Sequence, residues 1–284
     1  MKKLICLVML FCAALSWSVS AESTDDGAWL QAAGRGMVAF SLEDEPYPDT
    51  YFTFPINSDS LTEDSKTLQT PREIIGLDAE DSPGWIAALA GQQEADQLFV
   101  VSAYENTTAW ISLHEKDENG VWKMIMSTPG FIGKNGLGKT REGDGMTPTG
   151  TFSFNRAFGI AEDPGCAIPY VQADENTFWS GDVREGMRYN ELVSLLDYPD
   201  LDTENSERIM DYMYQYQYCL NISYNEEGTP GLGSAIFLHC LGDRKPYTGG
   251  CVAIPMEQMF FVMQHISPDC AVIIDTMENL GGSF

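Results

Sequence analysis

Apolar and polar positions along this chain change period several times, and the changes mark out its elements. Residues 85–90 predict one or two helical turns, and residues 97–103 form a β-rich run. Ala109, Ile111 and Leu113 then alternate with Trp110, Ser112 and His114. That period of two is the signature of a strand. Asn119-Gly120 is a turn signal and residues 121–126 read as the return strand, which completes a hairpin. Residues 133–150 are rich in glycine and read as loop, followed by a short strand at 151–154. Residues 155–190 are again Gly-, Pro- and polar-rich, with scattered aromatics.

Further on, Tyr212, Tyr214, Tyr216 and Tyr218 recur at every second residue, and with residues 221–223 they predict an aromatic-faced strand. Residues 234–238 predict a compact buried strand. The strongest helix signal covers 255–266: Pro255 suits the first helical position, and Met259, Val262, Met263 and Ile266 share one face. Ser267-Pro268 ends it, and 271–274 is a last strand. No internal repeat is present. The fold class is mainly β (α+β), with one main helix near the C-terminus.

The first 21 residues differ from the rest. Lys2 and Lys3 precede an apolar run over 4–15, and Val19 and Ala21 are small residues before a cleavage point. This is the layout of a secretory signal peptide, so the expected product is exported. Residues 22–75 carry 11 acidic and three basic residues, and residues 22–83 read as an acidic N-terminal extension, with short strands expected at 36–42 and 51–54. The main domain is expected over 84–284.

Charge narrows the partners. The chain has 284 residues with 16 Lys+Arg against 42 Asp+Glu, a formal net charge of −26. Such a surface repels phosphate, which argues against nucleic acid. No run after residue 21 is apolar and long enough to span a bilayer.

Seven cysteines are present, two of them in the expected leader. Cys166, Cys219, Cys240, Cys251 and Cys270 are irregularly spaced and form no C-x-x-C pair, so a structural zinc site is not expected. An odd number in an exported chain leaves one thiol without an intramolecular partner.

Residues 133–140, Gly-Lys-Asn-Gly-Leu-Gly-Lys-Thr, match the nucleotide-binding pattern G-x-x-x-x-G-K-[ST]. That chemistry needs a helix straight after the loop, whose N-terminus holds the phosphates. Here Arg141-Glu142-Gly143-Asp144-Gly145 and Thr147-Pro148 follow, and no helix is predicted. Nucleotide binding is therefore not expected.

The densest chemistry lies at the end of the buried strand. His239 and Cys240 end that strand, and Thr248-Gly249-Gly250-Cys251 follows after a turn-rich loop. A free thiol is only a few per cent thiolate at neutral pH, and a neighbouring imidazole can take its proton. Gly249 and Gly250 leave the backbone N–H groups of Gly250 and Cys251 uncovered, so these could meet a developing oxyanion. Cys240 remains an alternative nucleophile or a disulfide partner for Cys251.

These residues resemble the catalytic motif of the YkuD-type L,D-transpeptidases, a His followed by Ser/Thr-x-Gly-Cys and an apolar residue. Residues 147–152, Thr-Pro-Thr-Gly-Thr-Phe, are similar to the family's Thr-Pro-x-Gly-x-Phe segment, and the resemblance covers roughly 95–277. It implies a β-sandwich-like catalytic domain with its helix after the nucleophile, acting on peptidoglycan stem peptides. Cys251 would form a thioester with a stem and expel a terminal D-amino acid. An amine of a second stem would then resolve it, giving a wall cross-link. His239 would serve as base and then acid, and the backbone around Thr248 and Gly249, or the Thr248 hydroxyl, would orient its ring. No cofactor or metal is implied, the chain is expected to be a monomer, and its place is the cell wall or periplasm.

One position departs from the family pattern. Ala253 stands where the family usually has an Arg two residues after the nucleophile. Arg244 and Lys245 are the expected substitutes in substrate binding, with Arg141, Arg184 and Arg188 as further candidates. Trp179 and Asp182, with Tyr189 and Asn190, are expected either to line the cleft or to pack on the sheet. Two alternative functions share the fold: an L,D-carboxypeptidase that uses water as acceptor, and a catalytically inactive wall-binding protein.

Overall fold

A computed structural model of the chain describes residues 32–33, 37–38, 74–242 and 245–283. The expected leader (1–21), the strand expected at 51–54 and Arg244 lie outside the described residues. The chain divides into two units, 1–57 and 58–284. In the first, β1 (Ala32–Ala33) and β2 (Met37–Val38) pair antiparallel, with Ala32 opposite Val38. The strand expected at 36–42 thus coincides with β2.

The second unit carries the remaining elements. In chain order they are β3 (Ile74–Asp81), α1 (Gly84–Ala90), β4 (Gln97–Ala103), β5 (Thr108–Lys116), β6 (Trp122–Phe131), β7 (Gly150–Gly159), β8 (Tyr170–Gln172), β9 (Thr177–Trp179), β10 (Leu192–Ser194), β11 (Glu207–Arg208), β12 (Cys219–Ile222), β13 (Phe237–Cys240), β14 (Val252–Ile254), α2 (Met256–His265) and β15 (Ala271–Thr276). The mainly β fold with its principal helix after residue 251 is as the sequence leads one to expect. β3 hydrogen-bonds to β6, so the main sheet takes in residues from 74 onward.

Ten strands form one sheet in the order β12-β13-β14-β6-β5-β4-β15-β7-β8, with β3 on β6 and a further pairing of β12 with β7. That last pairing closes the circuit. It works because β7 changes partner along its length: Gly150 to Ser153 face β15, and Phe154 to Phe158 face β12. A register shift at Asn221/Ile222 accompanies the change.

Apolar side chains then fill both sides of the wall. Ile111, Leu113, Phe99, Leu238 and Val252 form the main core with Met259, Val262 and Met263 of α2. On another face, Ile86 and Ala90 of α1 cover Leu98, Val100 and Ile273. The polar alternates of β5 are therefore buried too, where the alternation suggested a half-exposed strand. Hydrogen bonds make that burial tolerable: Trp110 Nε1 donates to Ser127 Oγ at 2.5 Å, and His114 bonds Ser112 and Ser82, each at 2.8 Å.

Two local readings need correction. Pro255 is the N-cap residue of α2, not its first helical residue (φ −56°, ψ 150°). The tyrosine run is not a strand. Residues Ile209–Asp211 and Gln215–Gln217 are 3₁₀ turns, and only Cys219–Ile222 extends. The Tyr216 N–H donates to the Tyr212 carbonyl at 2.8 Å, and their rings lie 4.5 Å apart. The turns thus bury Tyr216 and leave Tyr214 exposed, where a strand would put both on one face.

Candidate active site

The register of β13 and β14 places the first pair. These strands run parallel, with His239 opposite Ala253. Cys251 lies two residues before Ala253 and so shares its parity, which sends the Cys251 and His239 side chains to the same face. Both line one cleft of about 510 Å³, together with Thr248, Gly249, Lys245 and Ala253.

The turn into Cys251 is held tightly. Thr248 Oγ1 donates to the Cys251 carbonyl at 2.6 Å and accepts the Gly250 N–H at 3.1 Å. Thr147 Oγ1 donates to the Gly250 carbonyl at 2.7 Å and accepts the Gly133 N–H at 2.9 Å. Gly250 has φ +146°, and a Cβ there would lie 2.8 Å from the Met146 carbonyl oxygen, so glycine is required. These bonds revise two expected roles. The Gly250 N–H is engaged inside the turn, which leaves the Cys251 N–H as the oxyanion donor to consider. The Thr248 hydroxyl bonds within the turn into Cys251 and not to the imidazole.

His239 is oriented by its neighbour instead. Its Nδ1 lies 2.7 Å from the Cys240 carbonyl oxygen. A carbonyl can only accept, so Nδ1 carries the proton and Nε2 is a free base. Burial holds the imidazole neutral, with its pKa lowered to about 4, although the Cys240 bond works the other way. The Cys251 thiol is pushed up to about 12, first by burial and then by the negative charge of Glu207. The resting pair is therefore neutral thiol beside neutral imidazole. All five cysteines of the described residues are free thiols, so Cys240 does not bridge to Cys251. Cys240 is fully buried, its thiol also raised to about 12 by burial.

The remaining expected residues separate. Lys245 stands on the cleft wall, exposed. Trp179 does not reach the cleft: it is 2% exposed, stacked on Phe158 with Phe237 against its edge. Asp182 is buried and pairs with Arg184 at 2.6 Å, which holds its carboxyl well below the usual range. Arg188 pairs with Glu191 at 2.7 Å. Neither Arg184 nor Arg188 replaces the missing Arg at 253. No helix follows the loop at 133–140, where Lys139 is buried on Asp144 at 3.1 Å.

The sequence profile of the L,D-transpeptidase catalytic domain (YkuD) matches residues 97–274. The chain belongs to this family. No curated protein matches it. Among solved structures it is similar to the helical cell shape determining protein Pgp2 from Campylobacter jejuni, at 15% identity, with 68% of this chain and 54% of that chain covered and a TM-score of 0.35. The Enterococcus faecium L,D-transpeptidase C442S mutant is 15% identical over 64% of this chain and 50% of that one, with a TM-score of 0.30. The Ldtfm-avibactam carbamoyl enzyme is 16% identical over 64% and 49%, with a TM-score of 0.30. The chain spans about half the length of these structures.

Three further residues shape this L,D-transpeptidase-family site: the sequence left Asn190 open between cleft and sheet, placed Tyr216 in a strand, and gave no signal for Glu207. Asn190 is buried at φ +61°, and its Oδ1 accepts both the Trp179 indole N–H at 2.9 Å and the Ala235 N–H at 3.0 Å. It thereby fixes the segment whose Ala235 carbonyl holds the Cys251 thiol. Glu207 and Tyr216 stand in the cleft beside His239. Glu207 comes from a two-residue strand that no periodicity marks. No metal-binding group of side chains occurs among the described residues, and none of their helices is long and apolar enough to cross a membrane.

Proposed function

We propose that this protein is an exported peptidoglycan L,D-transpeptidase. It acts outside the cytoplasm, forms a Cys251 thioester with a stem peptide and transfers the acyl group to an amine acceptor. The observation that carries this reading is the His239–Cys251 pair on adjacent parallel strands, facing one cleft, with the ring tautomer set by the Cys240 carbonyl. The family match and the leader-like N-terminus support it.

The chemistry follows from the site. Cys251 Sγ turns from Ala235 toward Nε2 of His239, which takes the thiol proton. The sulfur adds to the carbonyl of the stem's third residue, and the carbonyl oxygen gains the negative charge, facing the Cys251 N–H. The C–N bond to the terminal D-amino acid breaks, and its amine leaves with the proton from His239. An acceptor amine then adds to the thioester and gives its proton to His239. The thiolate leaves and is reprotonated, and a new amide remains.

Intact-mass analysis with a carbapenem, which mimics the acyl donor for this family, tests the nucleophile. A stable adduct on the native protein and none on Cys251→Ala is expected. Absence of an adduct on the folded, reduced native protein overturns the reading. Muropeptide digests test the acceptor: dimers mean transfer, and tripeptides alone mean that water is the acceptor.

A further inference from the structure

The cleft holds a carboxylate that works against its own nucleophile. Glu207 shares the cleft with Cys251, and its charge raises the thiol pKa after burial has already done so. One of its oxygens, Oε2, accepts the Tyr216 hydroxyl at 2.7 Å. Glu207 forms no ion pair among the described residues. Burial raises its pKa, and the nearby Glu142 adds to the rise. Glu142 lines the same cleft and accepts the hydroxyls of Tyr189 at 2.7 Å and Ser234 at 2.8 Å. The cleft therefore carries two carboxylates with neutral partners.

The cations of the same cleft do not offset Glu207. Lys139 is committed to Asp144 at 3.1 Å and to the Arg141 carbonyl at 3.2 Å. Lys134 and Lys245 line the walls without pairing to either glutamate. His239 is neutral. A desolvated carboxylate without a counter-cation is costly, and a cation brought in by the occupant relieves that cost.

We propose that Glu207 is the binding residue for a primary ammonium group of the substrate. This rests on the acyl-transfer reading above. A stem built on a diamino acid offers such a group in two places: the side chain of the donor, or the acceptor's amine, whose ammonium form must first pass one proton to the Glu207 carboxylate before the neutral amine attacks. Either one placed beside Glu207 forms a charge-assisted hydrogen bond to its carboxylate. A donor-side ammonium also offsets the repulsion at Cys251, which makes thiolate formation easier.

The test uses the native chain, Glu207→Gln and Glu207→Asp, each checked for a native thermal transition. In single turnover, release of the terminal D-amino acid is followed from a tetrapeptide donor whose side-chain amine is free or acetylated. Partition of the thioester between an added amine and water is followed separately. A donor-side ammonium is shown by at least about tenfold faster acylation with the free amine, a preference lost in Glu207→Gln and kept in part by Glu207→Asp. An acceptor-side ammonium is shown by equal acylation of both donors and a fall of at least about tenfold in aminolysis relative to hydrolysis in Glu207→Gln. Native preference and native partition in Glu207→Gln overturn the inference alone. No D-amino acid release from either donor by the native protein overturns the acyl-transfer reading, and the inference falls with it.

Discussion

The Cys251 thiol donates its hydrogen bond to the Ala235 carbonyl at 3.2 Å, and the Phe237 N–H reaches the same sulfur at 3.4 Å. The thiol thus rests against β13 with its proton retained. Ala235 itself sits at φ +55°, an unusual conformation for a residue with a Cβ. The resting thiol is protonated, and the proposed attack would require the sulfur to leave this anchor for the imidazole.

Alkylation should report this state. With the thiol pKa raised to about 12, iodoacetamide should modify Cys251 at pH 7.5 at least about tenfold more slowly than a free cysteine, which titrates near ~8.5. The rate should keep rising up to about pH 10. A plateau near pH 7 would show a preformed thiolate–imidazolium pair instead.

The acid limb of kcat/KM should lie low. His239 stays neutral down to about 4, so it remains a base through the pH range where an ordinary imidazole has already protonated. Activity should fall as pH drops through about 4. A limb near 6.5 in short assays on the folded enzyme would contradict the burial argument.

Acid should also destabilise the fold through its buried histidines. His114 is held neutral by burial, its pKa lowered to about 3, and both ring nitrogens are bonded to serines. Between about 3 and 6.5 the unfolded chain binds a proton that the folded chain does not. Stability is therefore full above about 6.5 and declines as pH falls, by at most about 1.4 kcal/mol per pH unit for this residue. Urea melts from pH 7 to 4 should show a shallower acid slope for His114→Gln. Equal slopes would assign the acid sensitivity elsewhere.

Asn190→Leu should cost about 2–6 kcal/mol in urea unfolding. It strands the Trp179 indole N–H and the Ala235 N–H, each worth about 1–3 kcal/mol when buried without a partner. Acylation should slow as well, because Ala235 positions the thiol. A loss below about 1 kcal/mol would mean that water replaces the amide.

Gly250→Ala should destabilise by about 1–3 kcal/mol and slow acylation by roughly 100-fold. Its Cβ meets the Met146 carbonyl at 2.8 Å, and its φ of +146° disfavours a side chain. Near-native acylation would show that the turn yields without moving Cys251.

Much of the molecule was legible because local pattern and tertiary demand agree. Residues 97–103 match β4, Asn119-Gly120 turns the β5–β6 hairpin, and the apolar face of 255–266 is the buried face of α2. The tyrosine run failed because spacing alone does not fix the backbone: 3₁₀ turns at 209–211 and 215–217 bury Tyr216 and expose Tyr214, which a strand would have put on one face. Trp179 and Asp182 were ambiguous between cleft and core, and only packing against Phe158 and pairing to Arg184 decided between them.

By itself the sequence determined the chemistry on offer: a His and a Cys on neighbouring strand ends, two glycines before the thiol, and a Thr-Pro segment that belongs to the same family pattern. These are local, because a nucleophile turn and a strand end are built from consecutive residues. The tertiary structure decided what surrounds that pair. Asn190, Glu207 and Tyr216 reach it from a loop, a two-residue strand and a 3₁₀ turn, and local pattern does not reveal a role that depends on burial and distance. That enclosure sets both protonation states of the resting site, since desolvation acts through space and not along the sequence.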